Sequence, residues 1–180
     1  MPRLVGPGAS WKAEGMPAHS AGLLPYRFGE GRTLEVLVVH PGGPFWANKD
    51  DGTWSIAKGE YEPGQDPEEA ANREFAEELG QGPPTGPRID LGELRQPSGK
   101  LVRVWAVEGD LDVENITSNV FEIEWPPHSG NRASWPEVDR ASWMSADSAK
   151  RKLAKGQVGF VDGLVTRLRE TSETSFSLGG

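Results

Sequence analysis

Gly59-Glu-Tyr-Glu-Pro-Gly-Gln65-Asp66-Pro67-Glu-Glu-Ala-Ala-Asn-Arg73-Glu74-Phe75-Ala-Glu77-Glu78-Leu79-Gly80-Gln81 is the stretch that decides how this 180-residue chain is read. It holds eight acids and one base. The rest of the chain holds 19 acids and 18 bases, so nearly all of the net charge of −8 sits here. Asp66-Pro67-Glu68-Glu69 is a helix start: an N-cap aspartate, proline at the first helical position and glutamate closing a capping box. The helix is predicted to run to Leu79, where Gly80 stops it. Glu74, Glu77 and Glu78 then fall within a narrow arc on one face. Ala71, Phe75 and Leu79 form an adjacent apolar stripe that can pack on a sheet. Like charges four residues apart destabilise a helix by a few tenths of a kcal/mol, and Arg73 relieves only Glu77. A Glu-rich helix face is ordinarily a solvated surface. A hard divalent cation, Mg²⁺ or Mn²⁺, is the partner that neutralises three carboxylates at this spacing.

Outward from this segment the chain alternates strand and helix signals. Ala21 to Phe28 is a short apolar run, and Leu34 to Val39 reads as a strand buried on both faces, stopped by Pro41-Gly42-Gly43-Pro44. Trp54-Ser55-Ile56 is a short strand candidate. Arg88 to Leu94 and Leu101 to Val107 flank Pro97-Ser98-Gly99 as a hairpin. Val120 to Trp125 alternates as a strand with one wet face. Ser145 to Leu153 and the Val161, Leu164, Val165, Leu168 spacing give two further helices. The fold class is α+β with a mixed sheet. Residues 1–18 read as a loose extension, 19–170 as the domain, and 171–180 as a polar, frayed tail.

Composition excludes several functions. The chain lacks cysteine, so it has no disulfide framework, thiolate metal site or thiol nucleophile. The acidic balance argues against nucleic acid as a partner. No run approaches a membrane helix, and the N-terminal residues lack the apolar core of a signal peptide, which points to a cytoplasmic protein away from membranes. His19, His40 and His128 have no metal-ligand spacing. There is no GxSxG elbow, no phosphate loop ending in GK[ST] and no GxGxxG.

The segment quoted above resembles the signature box of the Nudix hydrolases: Gly, five residues, Glu, seven residues, Arg-Glu, an aliphatic residue, any residue, Glu-Glu, any residue, Gly and an aliphatic residue. Gly59, Arg73, Glu74, Glu77, Glu78 and Gly80 match at the required spacing. Gln65 stands where the family has its first glutamate, and Gln81 at the last aliphatic position. The resemblance implies an α/β/α sandwich around a mixed β-sheet, with the box as loop-helix-loop. It implies that Glu74, Glu77 and Glu78, with the Gly59 carbonyl, hold Mg²⁺ or its substitute Mn²⁺. Arg73 orients the glutamates, and Gln65 is left to accept a hydrogen bond from it. A carboxylate, from the box or outside it, takes a proton from the water that attacks phosphorus.

Outside the box, Trp54-Ser-Ile-Ala-Lys58-Gly59 is similar to the Trp-x-x-Pro-Lys-Gly of family members acting on dinucleoside polyphosphates and diphosphoinositol polyphosphates, which makes Lys58 a phosphate contact. Pro136-Glu137-Val138-Asp139 before Trp143 is similar to the late glutamate of such enzymes, which makes Glu137 the candidate extra carboxylate. Trp46, beside a Gly/Pro loop, is the candidate for stacking on a base. Arg27, Lys49, Lys100, Arg103 and Arg132 are cations available to phosphates, with Arg27 taken as a substrate contact. The expected partner is a small nucleotide bound by a monomer or homodimer. Three functions stay open: hydrolysis of a dinucleoside polyphosphate such as diadenosine tetraphosphate, hydrolysis of nucleoside triphosphates in the manner of MutT, and nucleotide binding without turnover. The intact glutamates favour the first two, and Gln65 favours the third.

Overall fold

The computed structural model describes residues 16–177. The sheet is built around β1 (His19–Phe28), whose side chains alternate between two buried faces. Ala21 and Leu23 point to one face, Leu24 and Tyr26 to the other. The remaining strands of this sheet are β2 (Leu34–Pro41), β3 (Ala57–Glu60), β4 (Arg88–Arg95), β5 (Leu101–Glu108) and β8 (Val138–Ser145). Their order is β4-β5-β1-β2-β8, with β3 also pairing to β1. β1 runs parallel to β5, while every other pairing is antiparallel, so the sheet is mixed as its sequence pattern requires. β6 (Val120–Glu124) and β7 (Arg132–Pro136) form a separate two-stranded ribbon.

Helices cover both faces. α1 (Pro67–Leu79) buries Ala70, Ala71, Phe75 and Leu79 against Leu23, Leu37, Ala57 and Trp105. α2 (Ala146–Lys152) and α3 (Val158–Ser177) cover the opposite face with Ala149, Phe160, Val161 and Leu164 packed on Leu24, Val36, Val38 and Val104. Each such large apolar side chain contributes about 1.5–3 kcal/mol on burial. This is the expected α/β/α sandwich.

Three details depart from the sequence reading. The strand expected at Trp54-Ser55-Ile56 falls later, on Ala57–Glu60. Trp54 and Ser55 make only single bridges, to Leu153 and Val39. The reason is Gly22 of β1. A Cβ there would overlap the Ala57 carbonyl and the Lys58 Cβ, so β1 approaches closely at Ala57-Lys58. Second, α3 continues to Ser177, so residues 171–177, expected to fray, are helical. Their threonine and serine hydroxyls bond back to carbonyls one turn earlier. Third, neither β7 nor β8 was expected. The extension assigned to residues 1–18 lies mostly outside the described residues, and the chain enters β1 at His19.

Candidate metal and substrate site

The acidic helix is fixed at both ends by its own sequence. Asp66 Oδ1 accepts the Glu69 N–H at 2.9 Å, and Pro67 fills the first position. Gly80 closes the helix in the left-handed region at φ 69°, which glycine enters at no steric cost, and its N–H returns to the Ala76 carbonyl. With Phe75 and Leu79 locked in the core, the helix cannot rotate. Glu74 and Glu78 are therefore presented to β3 and to Glu137, while the Glu77 side chain stays 46% exposed beside Arg73 and Glu74.

Gly59 accounts for the position of Glu74. A Cβ at Gly59 would overlap the Glu74 carboxylate, so any side chain there displaces it. Arg73 Nη2 donates to Glu74 Oε1 at 3.2 Å, and Arg73 Nε lies 4.0 Å from Glu77 Oε1. Glu78 accepts from the Lys58 backbone N–H, but its Oε2 is buried without a hydrogen-bond partner. Burial lifts the Glu78 carboxyl to about 8. The Lys58 ammonium opposes this rise, and the Glu74 and Glu137 carboxylates add to it. Glu74 is also raised, first by burial, against its bond from Arg73, and then by Glu77 and Glu137. Lys58 is half-buried, and burial lowers it while Glu78 pulls it back.

The structure brings Glu137 to the same cluster. It sits between β7 and β8, facing Glu74 and Glu78 closely enough to shift both. Its backbone N–H donates to the Asn119 carbonyl at 2.8 Å, and Asn119 N–H donates to the Glu77 carbonyl of α1 at 3.2 Å. Ser118 Oγ accepts the Val138 N–H at 3.0 Å. Segment 117–119 thus ties Glu137 to α1. No sequence signal marked it, because the ties run through backbone and one serine. Glu122 and Glu124 stay on the ribbon, against Arg132 and the Gly130 N–H.

The other substrate candidates sit on separate elements. Trp46 is exposed on the loop between β2 and β3, with the Lys49 ammonium over its ring. Arg27 bonds Glu35 and Asp110 at 2.8 and 2.7 Å and stacks on Trp143 at 4.2 Å. Both residues line a cavity of about 700 Å³ beyond the C-terminal end of α1, together with Gln81, Leu111 and Val113. His40, which the sequence offered no role, is wholly buried. Its ring holds the Lys49 carbonyl at 2.7 Å and the Asp139 carboxylate at 2.9 Å, joining the Trp46 loop to β8.

The residues fit a hard divalent cation in kind. The donors are all oxygens, and one of them is a buried, unpartnered carboxylate oxygen. Among the described residues, no three acidic or histidine side chains are drawn together as a closed ligand set. The fit is therefore one of chemistry and placement.

A family model described as the NUDIX domain matches residues 16–164. The chain belongs to the Nudix family. No curated protein matches the sequence. Among solved structures, the NUDIX domain of Shewanella oneidensis NrtR complexed with ADP ribose aligns at 17% identity and a TM-score of 0.60, over 89% of this chain and 94% of that one. A Caenorhabditis elegans Ap4A hydrolase binary complex aligns at 20% identity and 0.57, over 84% and 98%. A mutT/nudix family protein from Listeria innocua aligns at 16% and 0.56, over 88% and 99%. At these identities the likeness is one of fold. No helix among the described residues is long and apolar enough to cross a membrane.

Both departures from the Nudix signature have local explanations. Gln65 Oε1 accepts the Glu62 N–H at 2.8 Å, closing the loop before α1, so it does not hold Arg73 as expected. Arg73 turns to Glu74 and Glu77 instead. Gln81 donates to the Asp112 and Asn115 carbonyls at 2.8 and 3.2 Å. An aliphatic residue there would leave both carbonyls without this donor.

Proposed function

We propose that this Nudix chain is a Mg²⁺-dependent hydrolase, with Mn²⁺ as a substitute, that cleaves a phosphoanhydride bond of a nucleoside polyphosphate. Dinucleoside polyphosphates such as diadenosine tetraphosphate are the favoured substrates. The observation that carries this reading is the buried Glu78 Oε2, which lacks a hydrogen-bond partner beside Glu74 and Glu137. A buried carboxylate oxygen left unpaired is costly unless a cation completes it.

Glu74, Glu77 and Glu78, with the Gly59 carbonyl, would hold the metal. When bound, it neutralises phosphate charge and lowers the pKa of water. The chain's own residues do the rest. Arg73 holds Glu74 in orientation through its Nη2. Glu137, kept against α1 by Asn119, accepts the proton of the attacking water at its carboxylate. Lys58 supplies positive charge to the phosphates, while Arg27 and Trp46 contact the nucleosides. Holding water and phosphorus in line removes much of the entropic part of the barrier.

The alternative is a nucleoside triphosphate pyrophosphohydrolase. Incubation with Mg²⁺ and either diadenosine tetraphosphate or nucleoside triphosphates, followed by phosphorus NMR, separates the two. The expected result is turnover of the dinucleotide, abolished in Glu78→Gln. Turnover of triphosphates alone establishes the alternative. No turnover of any nucleotide, with Glu78→Gln indistinguishable from wild type, leaves a binding module.

A further inference from the structure

The cations singled out in the sequence separate by their partners. Arg27, Lys100, Arg103 and Arg132 each lie against a carboxylate. Lys49 has no carboxylate partner among the described residues, and its ammonium rests 5.0 Å from the Trp46 ring centroid. Trp46 is itself 41% exposed. A lysine held only by an exposed ring is easily released to a phosphate.

The loop carrying this pair is tied at both ends, and Asp50 and Asp51 at its far end pair with Lys152 and Arg151 of α2. Gly42 N–H donates to the Glu137 carbonyl at 2.9 Å. Trp46 N–H to Gly43 O and Lys49 N–H to Trp46 O close successive turns along the loop. The β6–β7 ribbon supports the loop from behind, with Phe121 against Gly43 and Trp125 edge-on to Phe45 at 5.3 Å. The Gly43–Phe45 part of the loop is therefore packed against the ribbon.

A second aromatic wall, Trp143 with Arg27, lines the cavity beyond α1. Gln81 of that cavity is three residues past Glu78, and Trp143 is six residues, roughly 20 Å, along β8 from Glu137. Glu137 is thus bonded to the Trp46 loop at Gly42 and lies six residues from the Trp143 that, with Arg27, borders the cavity. A mononucleotide has a single base to offer to these two aromatic groups.

We propose that the Trp46–Lys49 loop is a second nucleoside site: Trp46 stacks the distal base of a dinucleoside polyphosphate, and Lys49 binds a phosphate of the chain joining it to the nucleoside in the Arg27–Trp143 cavity. This deepens the proposed function and rests on the acid face being the place of attack. Stacking suits any base, since every base has a π-face, and linking two weak sites through one ligand multiplies their affinities.

The test is calorimetric binding of diadenosine tetraphosphate and of ATP, with Mg²⁺, in the Glu78→Gln background. The dinucleotide is expected to bind at least about ten-fold more tightly than ATP. Trp46→Ala should collapse that ratio to near one by weakening the dinucleotide, and Trp46→Phe should restore most of it. Lys49→Ala should weaken the dinucleotide and flatten its dependence on salt. A ratio that Trp46→Ala leaves unchanged, or an equal loss for both ligands, overturns the second site. Continued turnover in Glu78→Gln overturns instead the reading of the acid face, and the binding ratio still decides the second site.

Discussion

The two faces of the central sheet use their helices differently. On one face α2 and α3 press only apolar side chains inward, and Phe160, Val161 and Leu164 are fully buried. On the other, α1 buries one stripe and turns Glu74 and Glu78 toward β3 and Glu137. The first face is finished when the chain folds. The second keeps a buried oxygen without a partner and a carboxyl raised to about 8. Folding thus stabilises one face and leaves unfavourable electrostatics on the other, a pattern that marks functional sites.

This contrast predicts opposite phenotypes. The largest effect is expected at the closed face. Phe160→Ala should cost about 3–5 kcal/mol of stability, lowering the melting temperature by roughly 10 °C, with kcat unchanged below the transition. A parallel loss of kcat would break the contrast. Gly59→Ala should do the reverse. Its methyl group displaces Glu74, so kcat should fall roughly a hundred-fold, as when a metal ligand loses its support, while the melting temperature moves little.

A smaller effect follows from Glu78. Its folded value of about 8 lies above its ordinary value, so between the two the folded chain holds a proton that the unfolded chain has released. The stability that Glu78 contributes to the metal-free protein should therefore be present around its ordinary value and be lost as pH rises toward 8. Thermal melts across that range check this. Saturating Mg²⁺, which requires the deprotonated carboxylate, should remove the decline. A flat profile without metal would place Glu78 in a wetter setting than the structure gives it. The smallest effect belongs to Gln65→Glu. Gln65 only closes the loop onto Glu62 N–H, which a glutamate oxygen accepts equally well, so kcat should change by less than about two-fold.

The fold and the box were legible because they rest on local signals. The Asp66 cap, the Gly80 stop and the Ala71, Phe75, Leu79 stripe are spacing rules within one helix, and the structure reproduces them. The misread features depend on partners distant in sequence. β3 shifted to Ala57–Glu60 because Gly22 lets β1 approach there. Gln65 and Gln81 answered to loop backbone rather than to Arg73 or a core. Asn119, Ser118 and His40 act through backbone bonds and burial, which no spacing rule encodes. Lys49 was one cation among five until ion pairing distinguished it.

The central claim is that the charge concentrated between Gly59 and Gln81 is a cation site. Calorimetric titration of the metal-free protein with Mn²⁺, wild type against Glu78→Gln, tests it without any substrate. The account predicts saturable binding in the wild type, with proton release near neutral pH, and a loss of at least about ten-fold in affinity in the variant. Equal binding by both proteins, or none by either, would contradict it.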